Sequence, residues 1–160
     1  MSSSKLLNFN VHDMLSFGQI SNPGKFRKNC GKFNIYEAVQ EIIDIQQDKA
    51  DYMGISLSSS FECFDDNDFE ICTDRYRFQQ VLLNFQSNAL KFTEKNGTVE
   101  IICNKKGDMV HITVKDNGMG IKKQDLSKLF KLYGFLDSSK EVNTNGVGLG
   151  LYICRQIVNI

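Results

Sequence analysis

The sequence is poor in several features, and each shortage narrows the options. One proline, Pro23, occurs in 160 residues, so the single proline-marked break falls in the turn SNPGK. Histidine occurs twice, as His12 and His111, and no two cysteines are spaced CxxC, which leaves no zinc-binding pattern. The five cysteines, Cys30, Cys63, Cys72, Cys103 and Cys154, are odd in number and fit reduced, structural thiols in an intracellular protein better than a disulfide framework. There is no surplus of charge: 19 basic residues balance 19 acidic ones, so the chain lacks the electrostatic footprint of a nucleic-acid binder. No apolar run approaches the roughly 18 residues of a membrane span. The start, MSSSKLLNFNVHDM, has neither the apolar run nor the cleavage site of a secretory signal. There is no internal repeat.

What is present is ordinary globular composition, 41% apolar and 24% charged, at a length that buries one core without a staple. Charge and glycine are unevenly spread. Residues 1–80 carry net −4 and residues 81–160 net +4, which points to the second half for any anionic ligand. Six of the twelve glycines lie between Gly118 and Gly150, concentrating backbone freedom there.

The hydrophobic pattern predicts a short helix around Leu7, Val11, Met14 and Gly18, too short to stand without a partner surface. With the turn that follows, residues 1–22 form a helical segment and linker, and residues 23–160 a domain. Ile35, Ala38, Val39, Ile42, Ile43 and Ala50 share a helical face from Ile35 to about Met53, with Gly54 as its stop. ISLSSSF (55–61) and DFEICT (68–73) read as strands around an acidic loop holding Glu62, Asp65, Asp66 and Asp68, a solvated turn or a weak cation site. A helix follows over 74–92, capped by Asp74, with Phe78, Val81, Leu82, Phe85, Ala89 and Phe92 as its core sector. Val99, Ile101 and Cys103 alternate, as do Val110, Ile112 and Val114, and Lys106-Gly107-Asp108 joins them as a hairpin. A short helix (about 122–131), a polar stretch (about 134–145) and a last helix from about 147 complete an α+β, two-layer sandwich.

Three groups carry chemistry. Asn84, Asn88 and Lys91 form a stripe at i, i+4 and i+7, adjacent to the core sector. Two amide oxygens suit a hard cation and the ammonium suits phosphate, although a solvated helix face has the same pattern. Asp116 shares the parity of Val110, Ile112 and Val114, so its carboxylate is aimed inward at the strand's end, either capped by amides of the next turn or accepting from a ligand amine. The turn Asn117-Gly118-Met119-Gly120 lets backbone approach a flat ligand. Gly146, Gly148 and Gly150, in GVGLGL, open the last helix, where N–H groups and the dipole favour an anion.

In this order, these segments resemble the ATP-binding domain of histidine kinases, within the superfamily that also holds gyrase, the heat-shock chaperone and mismatch-repair ATPases. NFQSNALKF (84–92) resembles the N box, DNGMG (116–120) the first glycine box, LFKLYGF (129–135) the F-box region and GVGLGL (146–151) the second glycine box. The resemblance spans about residues 6–160. It implies the Bergerat (GHKL) fold: a mixed sheet with helices on one face, here without the closing C-terminal strands. It implies ATP and Mg²⁺ as cofactors. Asn88 and Asn84 would hold the metal and Lys91 a phosphate, these three being the catalytic set. Asp116 would read the adenine amine, Gly118 and Gly120 would shape the pocket, and Phe92 would lie against the base. Gly146, Gly148 and Gly150 would let a lid close.

The superfamily's hydrolases carry glutamate where this chain has Asn84; an amide cannot take a proton from water, so phosphoryl transfer is favoured over a stand-alone ATPase. The implied activity is transfer of the γ-phosphoryl to a histidine on a separate or missing dimerisation hairpin, in a phosphorelay with a response-regulator receiver, with homodimerisation in a full-length protein. The localisation implied is cytoplasmic, without nucleic acid and without membrane contact from this segment. VHDMLSFGQISNPGKF fits the end of the second hairpin helix, so His12 lies past the acceptor position, and His111 alternates outward. The lid, 131–145, has lysines but no arginine, with Lys140 as a weak substitute. The alternative is a non-catalytic nucleotide-binding or interaction module, a degenerate kinase fragment.

Overall fold

The computed structural model describes residues 28–64, 68–131 and 149–159. The first expected helix, the SNPGK turn, His12, Asp65, Asp66, the polar stretch 134–145 with Lys140, Gly146 and Gly148 lie outside the described residues.

Strand β1 (Gly31–Asn34) runs straight into helix α1 (Ile35–Met53). Asn34 makes the junction: its side chain accepts from the N–H of Glu37 at 3.2 Å. Gly54 closes the helix at φ 67°, and its N–H reaches the carbonyls of Ala50 and Asp51. β2 (Ser56–Glu62) and β3 (Glu70–Thr73) follow. Helix α2 (Arg75–Phe92) is capped by Asp74, whose Oδ1 accepts from the N–H of Arg77 at 3.1 Å. β4 (Thr98–Lys106) and β5 (Met109–Asp116) form the expected hairpin, turning at Gly107 with φ 58°. A 3₁₀ segment, Lys123–Lys128, and helix α3 (Gly150–Val158) complete the described chain.

β2, β4 and β5 make a mixed sheet in that order, β2 parallel and β5 antiparallel to β4. β1 and β3 pair separately as an antiparallel ribbon. The two strands expected around the acidic loop therefore belong to different sheets, and β1 was not foreseen in the sequence. Of the loop's acids that are described, Asp68 pairs with Lys105 and Glu62 accepts from Asn104; in the strand beyond, Glu70 pairs with Lys32 at 2.7 Å. Among the described residues no group of His, Cys, Asp and Glu could hold a metal ion.

The core lies between one sheet face and α1 and α2. Ile35, Val39 and Ile42 of α1 cluster with Ile101 and Cys103 of β4, and Ala50 of α1 clusters with Leu90 of α2 and Val99 of β4, all fully buried. The face of α2 that enters this core differs from the expected one. It carries Gln79, Leu82, Leu83, Gln86, Ala89 and Leu90, while Phe78, Val81, Phe85 and Phe92 are only half-buried. The helix is turned roughly a quarter-turn from the apolar count. Glutamines explain the difference: Gln79 is buried because its Nε2 donates to the carbonyl of Ala38 and to Glu41. The helix expected over 122–131 is a 3₁₀ segment without a buried residue, so no core holds it in α form. Among the described residues the last helix runs from Gly150, with Leu149 as its cap; the expected start at about 147 lies outside the described residues.

Candidate functional site

The site is built where α2 meets the turn after β5 and the start of α3. On α2, Asn84, Asn88 and Lys91 lie roughly opposite the buried face, yet all three are half-buried. α3 packs beside them: Cys154 Sγ donates to the carbonyl of Val81. Asn84 Nδ2 donates to the carbonyl of Gln80 at 3.2 Å, and its Oδ1 rests against Gly150, where an added Cβ would come within 2.5 Å. Gly150 therefore lets α3 approach the stripe closely, and a side chain there would make Asn84 turn aside. The first intrahelical hydrogen bond of α3 runs from Ile153 to Leu149, and among the described residues no side chain caps the helix start. Its opening N–H groups and the positive end of its dipole thus stand next to the amides of α2.

The glycine turn is clamped to the other end of α2. The N–H of Met119 donates to the carbonyl of Phe92 at 3.2 Å, and a Cβ at Gly118 would fall 2.3 Å from that same oxygen. Gly120 adopts φ 69°. Asn117, which the sequence did not single out, buttresses the turn: its Oδ1 accepts from the N–H of Thr98 at 2.8 Å. Its signal was its place within DNGMG, directly before the first glycine.

The pairing Val99↔Asp116 places Asp116 on the core face of the sheet, as its parity predicts. It is nevertheless exposed, because α2 ends at Phe92 and leaves the strand's end uncovered. Oδ1 accepts from the N–H of Gly118 at 3.0 Å, the amide cap considered above. Among the described residues Oδ2 is open to a further donor. The ring of Phe92 lies 5.5 Å from the Lys91 ammonium. Partial burial lowers the Lys91 pKa, and the charge of Lys49 lowers it further. A crevice of about 300 Å³ lined by Glu94, Lys95, Gly97, Asn117 and Gly118 adjoins the turn but reaches neither Asp116 nor the stripe. His111 is exposed on β5, as expected.

A mixed sheet under helices, with amides on one helix, a carboxylate at a glycine turn and a glycine-opened third helix, is the architecture of a histidine kinase catalytic domain. The chain belongs to the family described as histidine kinase-, DNA gyrase B- and HSP90-like ATPases, whose model matches residues 73–160. It is 31% identical over 151 residues to the circadian input-output histidine kinase CikA of Synechococcus elongatus and 29% identical over 154 residues to the non-motile and phage-resistance protein of Caulobacter vibrioides. Each alignment covers 94% of this chain but only 20% and 18% of the relative. The chain thus spans about a fifth of the length of these curated relatives.

Among solved structures, the nucleotide-free catalytic domain of histidine kinase ThkA is similar at TM-score 0.69 and 30% identity, covering 82% of this chain and 80% of that one. Full-length ShkA in complex with AMPPNP is similar at TM-score 0.76 and 25% identity, covering 97% and 31%. ThkA in complex with the response regulator TrrA is similar at TM-score 0.63 and 25% identity, covering 87% and 39%. The fold is that of the kinase ATP-binding catalytic domain, and these comparisons favour it over a non-catalytic interaction module. Among the described residues no helix is long and apolar enough to cross a membrane.

Proposed function

We propose that this chain binds Mg-ATP and supplies the phosphoryl-donor half of a sensor histidine kinase. The observation that carries the reading is the clamp of the glycine turn on α2: the Gly118–Phe92 contact brings Asp116 beside the helix that bears Asn88 and Lys91. Asp116 Oδ2 accepts the adenine amine while Oδ1 stays on the Gly118 amide, which fixes the carboxylate's direction. Phe92 lies against the base, and Gly118 and Gly120 shape the turn around it. Lys91 binds phosphate. Asn88 and Asn84 offer amide oxygens, hard donors that fit Mg²⁺, with Asn84 also seating α3 through Gly150. The metal, when bound, neutralises phosphate charge. This reading assigns to Gly146, Gly148 and Gly150 the role of letting a lid close over the phosphates.

Asn84 also sets the reaction type, because its amide cannot accept a proton from an attacking water. The γ-phosphoryl therefore passes to a histidine nitrogen on a separate dimerisation hairpin, its bond to the bridging oxygen breaking so that ADP leaves, and from there to a receiver domain. The ThkA–TrrA complex supports such a receiver partner. This reading assigns homodimerisation to the hairpin-bearing protein and places the domain in the cytoplasm, where ATP is available.

The test is titration of Mg-ATP against the wild type and Asp116→Ala. Loss of a hydrogen bond to a charged group predicts affinity weaker by roughly ten- to a hundredfold. Equal affinity would remove the adenine assignment. Addition of a separate acceptor hairpin and labelled ATP tests transfer: phosphohistidine is the expected product, and binding without transfer would reduce the chain to a nucleotide-binding module.

A further inference from the structure

α1 and α2 run side by side in the same direction. Near their starts Gln79 Nε2 donates to the carbonyl of Ala38 at 3.1 Å, an offset of 41 residues. Just past their ends the N–H of Asn96 donates to the carbonyl of Gly54 at 2.8 Å, an offset of 42. The register is therefore nearly constant, and it puts Lys49 level with Leu90 and Lys91. Lys49 also lies on the side of α1 that meets α2. It follows Ala38, Ile42 and Ile45 at i+11, i+7 and i+4, and the Ala38 carbonyl is what Gln79 grips. A lysine of one helix thus stands at the height of a lysine of the other.

We propose that Lys49 is a second phosphate-binding cation of the nucleotide site, acting with Lys91 on the polyphosphate tail. This rests on the reading of the site as an ATP site. The closeness of the two charges is also felt electrostatically, since Lys49 depresses the pKa of Lys91. Lys49 is exposed as a residue, yet desolvation lowers its own pKa. Two ammonium groups held together repel, and each loses some hydration. That arrangement costs stability in the free protein and is relieved when a polyanion lies between them. A base-reading residue would act on every adenine nucleotide alike; a cation on the tail acts in proportion to phosphate number.

The experiment titrates ATP, ADP and AMP, each with Mg²⁺, against the full chain and its Lys49→Ala, Lys49→Met, Lys49→Arg and Lys32→Ala variants. Lys32 pairs with Glu70 on the β1–β3 ribbon and serves as the charge-matched control. Lys49→Ala is expected to weaken ATP roughly five- to tenfold, the low end for a charged contact because the side chain is exposed, with AMP within about twofold of wild type. Lys49→Arg is expected to retain ATP affinity, and Lys32→Ala to change nothing. The unliganded melting temperature of Lys49→Ala should equal or exceed the wild type. Lys49→Met keeps the stem, so it reports the charge should the alanine variant unfold. Unchanged ATP affinity in Lys49→Met, or an equal loss for ATP and AMP, overturns the proposal. If the wild type binds no ATP, or Asp116→Ala binds it equally, the ATP reading falls and this inference falls with it. Loss in Asp116→Ala with no loss at position 49 overturns only the inference.

Discussion

Gln86 is fully buried in the core face of α2, and neither atom of its amide has a hydrogen-bond partner among the described residues. An unpaired buried amide costs about 1–3 kcal/mol, so Gln86→Leu is expected to raise the melting temperature by a few degrees. A fall in melting temperature on differential scanning calorimetry would show that the amide is satisfied. Cys103, also in the core, has its thiol pushed up by burial from 9.0 to about 11. The folded protein therefore keeps this proton while the unfolded chain gives it up, and stability falls as pH rises from about 9 to about 11. Urea midpoints at pH 8 and 10.5 should show that fall in the wild type and a smaller one in Cys103→Val. At pH 8 a thiol reagent should label Cys30, Cys63 and Cys72, which are exposed, and spare Cys103 and Cys154.

At the scale of elements, two glycines set how closely α2 is approached, and they differ in what opposes them. A Cβ at Gly118 meets the backbone oxygen of Phe92 at 2.3 Å, and backbone cannot swing aside. A Cβ at Gly150 meets the Asn84 side chain at 2.5 Å, which can rotate. Gly118→Ala is expected to abolish ATP binding and lower stability, whereas Gly150→Ala should weaken binding and leave stability within about 1 kcal/mol. Titration and thermal melts of both check the order; the reverse ranking would sink the clamp as the organising contact.

Much of this element structure was legible in the sequence. α1 could be bounded because its apolar residues keep helical spacing from Ile35 to Ala50 before Gly54 ends it, and the hairpin because two alternating runs flank Gly107. β1 was not legible, since GKFN has no strand pattern of its own and is extended only through pairing with β3. The inward face of α2 was misplaced because its glutamines count as polar until the Ala38 carbonyl and Glu41 are known to hold one of them. Parity gave the direction of Asp116, but its exposure depends on where a neighbouring helix stops, which no local pattern records.

For the molecule as a whole, nucleotide binding and folding are linked by mass action. ATP at 100 times its dissociation constant should add about 2.7 kcal/mol, or about 5–10 °C in melting temperature at this size. Asp116→Ala at the same ATP concentration should gain much less. The sheet carries a different consequence. Among the described residues β2 lies at its edge, and its partner is a strand some 42 residues downstream, Ser56 facing Thr98. During synthesis the ribosome therefore releases α1 and β2 well before anything exists to zip onto them. Until residue 98 and the strand behind it emerge, the nascent chain displays a greasy helix and a bare strand border, a target for chaperones and a hazard for neighbouring chains.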